Sequence, residues 1–167
     1  MRAVTEPPQP WTRIIASPLL RCAAFAEELA TQRNLPLSLD SRLKEIGFGE
    51  WEGKTAQELE AADPQQLMRF WSSPERHTPP GAEPIGSFYT RVIDAWNEIV
   101  ESHVGEHLLL VVHAGVIRMI VSHVLGAPIA NAFRIQVPSA GMTQIRIDRK
   151  GDYTLPRLLV HGRQGSP

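Results

Sequence analysis

The stretch Leu108–Gly126, LLLVVHAGVIRMIVSHVLG, decides how the chain folds. It opens with an unbroken apolar run, Leu108 to Val112, followed by His113, Ala114 and Gly115. A second apolar stretch, Val116 to Leu125, is interrupted only by Arg118, Ser122 and His123. The first run is short and rich in branched side chains, which predicts a strand buried on both faces. The second is longer, apolar on most sides and stopped by Gly126, which predicts a buried helix. A strand entering a helix through a tight turn is half of a βαβ unit. Polar groups at such a turn lie at the carboxyl end of the sheet, where open α/β folds bind ligands. His113 occupies that turn.

Upstream, Trp11–Ala16 carries a short strand centred on Ile14 and Ile15, and Ser17-Pro18 supplies an N-cap and first-turn proline for a helix. Leu19, Cys22, Ala23, Ala26, Leu29 and Ala30 share one face of it, and it ends near Arg33-Asn34. Arg21 lies in its first turn, where the helix dipole favours anions over cations. Either this arginine is solvated or it shares the turn with a bound phosphate. Leu35–Leu39 is a third strand. Leu43–Gly53, LKEIGFGEWEG, reads as neither helix nor strand, and such Gly- and aromatic-rich loops let backbone approach a ligand while aromatics exclude water. Glu45, Glu50 and Glu52 compete there for a chemical role. Glu45, beside Ile46, is best placed to face a semi-apolar pocket and act as a general acid.

Thr55 with Glu58 forms a capping box, and Asp63-Pro64 starts a further helix carrying Leu67, Phe70 and Trp71. Ser72–Gly81 is a Pro-rich loop of lid length. Glu83–His103 is the longest helix, with Phe88, Val92, Ile93, Trp96, Ile99 and Val100 as its buried stripe. Phe133–Val137 reads as a strand. Met142–Asp148 and Tyr153–Val160 read as a hairpin around Arg149–Asp152. Met1–Val4 shows no cap or strand, Glu6–Pro10 reads as an extended connector, and Gly162–Pro167 as a frayed tail. The element order predicts one domain over residues 1–167: three-layer α/β/α, a mostly parallel sheet with an antiparallel C-terminal edge.

A chain of 167 residues with 43% hydrophobic content supports a real core. A net charge of -1 offers no electrostatic attraction for nucleic acid or an anionic membrane. Fourteen of the 17 basic residues are arginine, which composition alone explains by codon bias as well as by phosphate handling. Cys22 is the only cysteine, which excludes a disulfide framework or a cysteine metal cluster. With no membrane-length segment or leader pattern, a cytoplasmic protein is expected.

Three segments together carry a family resemblance: Ser17-Pro18-Leu19-Leu20-Arg21-Cys22, Glu45–Gly53, and Val112-His113-Ala114-Gly115-Val116-Ile117-Arg118. In this order, from Trp11 to about Val137, they resemble the motifs of the histidine phosphatases of the phosphoglycerate-mutase-like superfamily. The Phe48–Gly53 loop and the short lid around Phe70–Gly81 are similar to those of its α-ribazole phosphatase group, which serves cobalamin biosynthesis. The resemblance implies hydrolysis of a small phosphate monoester through a phosphohistidine, without metal or cofactor. It implies that Glu45 protonates the leaving oxygen and then activates water. It further implies that Arg21, His113 and Ala114 bind the transferring phosphate. The sequence departs from the family in containing no Arg-His-Gly nucleophile motif, in Ala114 for the commoner glycine, and in Glu83-Pro84 where Glu-Ser is frequent.

The resemblance therefore implies an N-terminally truncated chain, with Met1–Val4 similar to the tail of the family's first helix. The absent central strand would lie between those leading to Arg21 and His113. Such a chain is expected to be inactive, and poorly soluble or dimeric through its open sheet. A non-catalytic phosphate-binding relative and a phosphoglycerate-mutase-like enzyme remain the alternatives. His77, His103, His107, His123 and His161 are expected to be non-catalytic.

Overall fold

A computed structural model describes residues 11–164. The readings of Met1–Val4, of Glu6–Pro10 and of residues 165–167 lie outside the described residues. Strand β1 (Arg13–Ala16) leads to helix α1 (Leu20–Arg33), and β2 (Leu37–Leu39) follows. Short helices α2 (Ala56–Ala62) and α3 (Pro64–Ser72) precede the long α4 (Ile85–Ser102). Strand β3 (Leu108–Val111) runs directly into α5 (Ala114–Val124), and a hairpin of β4 (Met142–Lys150) and β5 (Tyr153–Arg163) completes the order.

The parallel sheet has the order β2-β1-β3, with Ile14 opposite both Leu37 and Leu109. Alternation along β1 divides its side chains between two layers. Ile14 and Ala16 pack with Ala26, Leu29 and Ala30 of α1. Ile15 faces the other way, into the main core with Phe88, Val92 and Ile99 of α4 and Val116 and Met119 of α5. Helices thus cover both faces of a parallel sheet. β4 and β5 form a separate antiparallel sheet turning at Gly151-Asp152, and Ile145 and Ile147 pack it onto the main core.

Several expectations require correction. β1 and β3 pair directly, from Arg13 opposite Leu108 to Ala16 opposite Val111, so no strand can lie between the segments leading to Arg21 and His113. The free edge is the far side of β3, which has no strand partner among the described residues. For the same reason β3 is not buried on both faces: all four of its residues are half-buried. Phe133–Val137 is not a strand. Ile129–Arg134 winds into a 3-10 helix, Ile135 N–H returns to Ala132 O at 3.1 Å, and Arg118 Nε donates to Ile135 O at 3.0 Å, so the backbone is satisfied without a neighbouring strand. Gly162 and Arg163 belong to β5 instead of a frayed tail.

The capping box at Thr55 and Glu58 forms as read, and Asp63 caps α3 through Gln65 and Gln66 N–H. Phe70 of α3 anchors an aromatic group in which Phe48, Trp51, Trp71 and Phe133 meet it edge-on, with ring centroids 5.2–6.1 Å away. No described helix is long and apolar enough to cross a membrane.

Candidate active site

β1 and β3 end in register, so the residues just beyond them emerge side by side at the carboxyl edge of the sheet. Ser17 N–H donates to Val111 O at 3.0 Å and extends this pairing by one step, which buries the serine side chain completely. Ser17 is therefore not the N-cap of α1. The helix starts at Leu20, and the Ser17 hydroxyl turns to His113, with Nε2 to Oγ at 2.7 Å.

His113 is 6% exposed and occupies the N-cap position of α5. Arg21 Nε donates to its Nδ1 at 3.0 Å. An accepting Nδ1 assigns the ring proton to Nε2, which then donates to Ser17 Oγ. The same oxygen accepts Leu19 N–H at 3.3 Å. Burial, reinforced by the adjacent Arg21 charge, lowers the His113 pKa to about 4, so the ring is neutral at neutral pH. Both ring nitrogens are engaged by protein groups. Arg21 spends only Nε on this contact, and its terminal nitrogens make no hydrogen bond among the described residues. They form the open, positively charged face of the site.

Glu45 approaches from the loop after β2. Its Oε2 accepts Gly115 N–H at 3.1 Å and its Oε1 accepts Ile46 N–H at 3.1 Å. The carboxylate thus lies at the α5 N-terminus, where free N–H groups and the helix dipole favour negative charge. Gly115 is required for this approach: a Cβ there would collide with Glu45 Oε1 and stand 3.2 Å from the Phe88 ring. Ala114 opens α5 between His113 and Gly115, so its N–H is directed toward the same edge. The fold therefore assembles Arg21, Glu45, His113 and Ala114 from three separate segments. Glu50 and Glu52 are exposed, and Glu52 Oε1 instead accepts Phe48 N–H at 3.2 Å.

Cys22 reads from the sequence as a small core residue. It is buried, and its Sγ also lies 3.6 Å from both ring nitrogens of His113. Burial pushes its thiol pKa up, Arg21 opposes that and Glu45 adds to it, which disfavours the nucleophilic thiolate. One further residue escapes the sequence reading. Arg91 of α4 pairs with Glu83 and donates to backbone carbonyls of the Glu45 loop. The one available signal was the eight-residue spacing of opposite charges, about two helical turns. Of the remaining histidines, His123 meets Tyr89 Oη at 3.0 Å and His103 meets Ile99 O at 3.0 Å, both away from the sheet edge.

The end of the Pro-rich loop Ser72–Gly81 is tied to the Glu45 loop. Glu50 N–H donates to Pro80 O at 3.1 Å and Glu83 N–H donates to Gly47 O at 2.8 Å. Gly49, at φ +57°, lies against the Pro80–Ala82 backbone, where no side chain would fit.

Comparison with known proteins places this geometry. "Putative phosphoserine phosphatase 2" of Hydrogenobacter thermophilus is 30% identical over 152 residues, 90% of this chain and 74% of that one. The adenosylcobalamin/α-ribazole phosphatase of Escherichia coli is 23% identical, over 82% of this chain and 68% of that one. A bifunctional protein of Mycobacterium tuberculosis is 31% identical over 130 residues, and the chain spans only 35% of its length. Among solved structures, Bacillus stearothermophilus YhfR superposes with a TM-score of 0.83 at 27% identity, covering 98% of this chain and 79% of that one. The sequence pattern of the histidine phosphatase superfamily (branch 1) matches residues 3–158, and the relatives named as phosphatases support a phosphatase activity. The chain, with its arginine, glutamate and neutral histidine gathered at one sheet edge, belongs to the histidine phosphatase superfamily.

Proposed function

We propose that the protein hydrolyses a small phosphate monoester of the α-ribazole 5'-phosphate type. The observation that carries the reading is the neutral His113 bonded to Arg21, with the Glu45 carboxylate held two residues away on the Gly115 amide. The terminal nitrogens of Arg21 take phosphate oxygens, and the N–H of Ala114 faces the same anion. A bound dianion raises the proton affinity of His113 and converts Nδ1 from acceptor to donor, so that the imidazole joins Arg21 on the phosphate. Glu45 enters in its protonated form and gives that proton to the departing ester oxygen; the resulting carboxylate then accepts a proton from the attacking water in the second step, which restores the starting form. The phosphoryl acceptor that the family resemblance implies is the histidine of an Arg-His-Gly motif, which this sequence does not contain. His113 does not fill that role in this reading, because its ring nitrogens are already engaged. The Phe48–Gly53 loop, whose Phe48 and Trp51 pack against the buried Phe70, resembles that of the α-ribazole phosphatase group, and this favours α-ribazole phosphate over phosphoserine.

Phosphate release from α-ribazole phosphate, phosphoserine and 3-phosphoglycerate tests this. It is measured for the 167-residue chain and for that chain extended N-terminally by a strand bearing the Arg-His-Gly motif that the family resemblance implies. Turnover is expected in the longer protein alone, with α-ribazole phosphate preferred and Glu45→Gln lowering kcat about a hundredfold or more. Turnover by the 167-residue chain that His113→Ala abolishes would instead make His113 the nucleophile. A preference for phosphoserine would overturn the substrate assignment.

A further inference from the structure

Residues 44–48 have no regular secondary structure, yet they must hold a carboxylate to within hydrogen-bonding tolerance of Gly115 N–H. Their carbonyls have no helix or strand ladder to enter. Arg91 supplies the missing donors. Its Nη1 donates to Arg42 O at 2.6 Å and Lys44 O at 2.8 Å, and its Nη2 donates to Glu45 O at 3.2 Å. Its remaining N–H groups form a two-point contact with Glu83, Nε to Oε1 at 2.7 Å and Nη2 to Oε2 at 2.6 Å. A guanidinium has five N–H donors, and all five are used. Glu83 closes the other end of the loop, donating its own N–H to Gly47 O at 2.8 Å. The pair is half-buried, and the guanidinium lies 4.7 Å above the Phe88 ring, whose edge abuts Gly115.

From this geometry we propose that Arg91, oriented by Glu83, is the positioning residue for the Glu45 carboxylate. The fork fixes the backbone on which Glu45 is mounted, and Phe88 links it to the helix start that the carboxylate must meet. Lysine cannot replace it, because a single ammonium cannot address three carbonyls and a carboxylate in these directions. The inference rests on Glu45 being the proton donor only for its catalytic consequence. The placement of the carboxylate can be read without turnover.

The test is a pH titration of the Gly115 amide by two-dimensional nitrogen–proton NMR on the full 167-residue chain. In the parent protein the Gly115 amide shift follows pH because Glu45 accepts its hydrogen bond, and Glu45→Gln identifies the transition by removing it. Arg91→Lys and Arg91→Met are expected to lose the Gly115 transition while amides in β1 and β3 keep their positions. Glu83→Gln, which keeps hydrogen bonds to Arg91, is expected to retain most of it. A Gly115 transition unchanged in Arg91→Lys overturns the proposal, and that milder variant serves if Arg91→Met does not fold. In catalytically active protein, Arg91→Lys should lower kcat about a hundredfold on an alkyl phosphate, which needs leaving-group protonation. It should act far less on p-nitrophenyl phosphate and leave KM nearly unchanged. Loss of the amide transition with unaltered kcat would uphold the positioning and refute the role of Glu45 as acid.

Discussion

Acidification should weaken the fold through His113 in a defined window. The imidazole has an ordinary pKa of 6.5 and a folded value of about 4, set first by burial and then by the Arg21 charge. The unfolded chain therefore takes up a proton as pH falls below 6.5, while the folded chain takes none until pH nears 4. A depressed folded pKa means that the stabilisation is complete above 6.5, declines between 6.5 and 4, and changes no further below 4. At about 1.4 kcal/mol per pH unit, this interval corresponds to a loss of about 3 kcal/mol. That is a large fraction of the stability of an ordinary domain. Urea denaturation of the parent protein and of His113→Gln, at pH 7, 6, 5 and 4, measures it. Carboxylates titrate in both proteins and cancel in the difference, whereas the glutamine cannot titrate. The parent should lose about 3 kcal/mol more than the variant from pH 7 to 4. Arg21→Met should narrow the difference by removing the second cause. Parallel stability curves for the parent and His113→Gln would refute the assignment of a buried neutral imidazole.

Two substitutions probe the rest of the site. Ser17→Ala removes the acceptor of the His113 Nε2 proton at a completely buried position, and a loss of about 1–3 kcal/mol is expected in urea denaturation. An unchanged midpoint would mean that the Ser17–His113 hydrogen bond adds nothing to stability. Gly115→Ala forces a methyl group into the space held by Glu45 Oε1 and the Phe88 ring, and should cost about 1–3 kcal/mol. It should also displace the carboxylate from the α5 N-terminus. A variant melting with the parent protein would show that the Glu45 loop is free to retreat.

The helices and their boundaries were largely legible in the sequence. The Thr55 capping box, the Asp63-Pro64 start, the α4 stripe and the Asn34 stop at φ 51° all follow from residues within one or two turns of each other. The site residues were legible in part. Arg21 and His113 each follow a strand, and Glu45 lies in a loop whose composition marks it. Phe133–Val137 misled because alternating apolar residues predict a strand only if another strand is there to pair with. Here Arg118 takes the Ile135 carbonyl and Phe133 enters the aromatic group instead. Ser17 misled because two geometries compete for one hydroxyl, and the buried imidazole 96 positions away prevails over the local helix start.

By itself the sequence determined an α/β chain with a histidine and an arginine at strand-to-helix turns and a glutamate in a Gly- and aromatic-rich loop. Periodicity, caps and breakers act over a few residues and are written locally. The tertiary structure alone decided that β1 pairs directly with β3, leaving the far side of β3 open, and that Ser17 and Arg21 engage the two nitrogens of His113. It alone revealed that Arg91 secures the Glu45 loop across 49 positions of sequence. The reason is physical: a buried donor or acceptor must find a partner, and which partner is within reach is settled by how the layers pack.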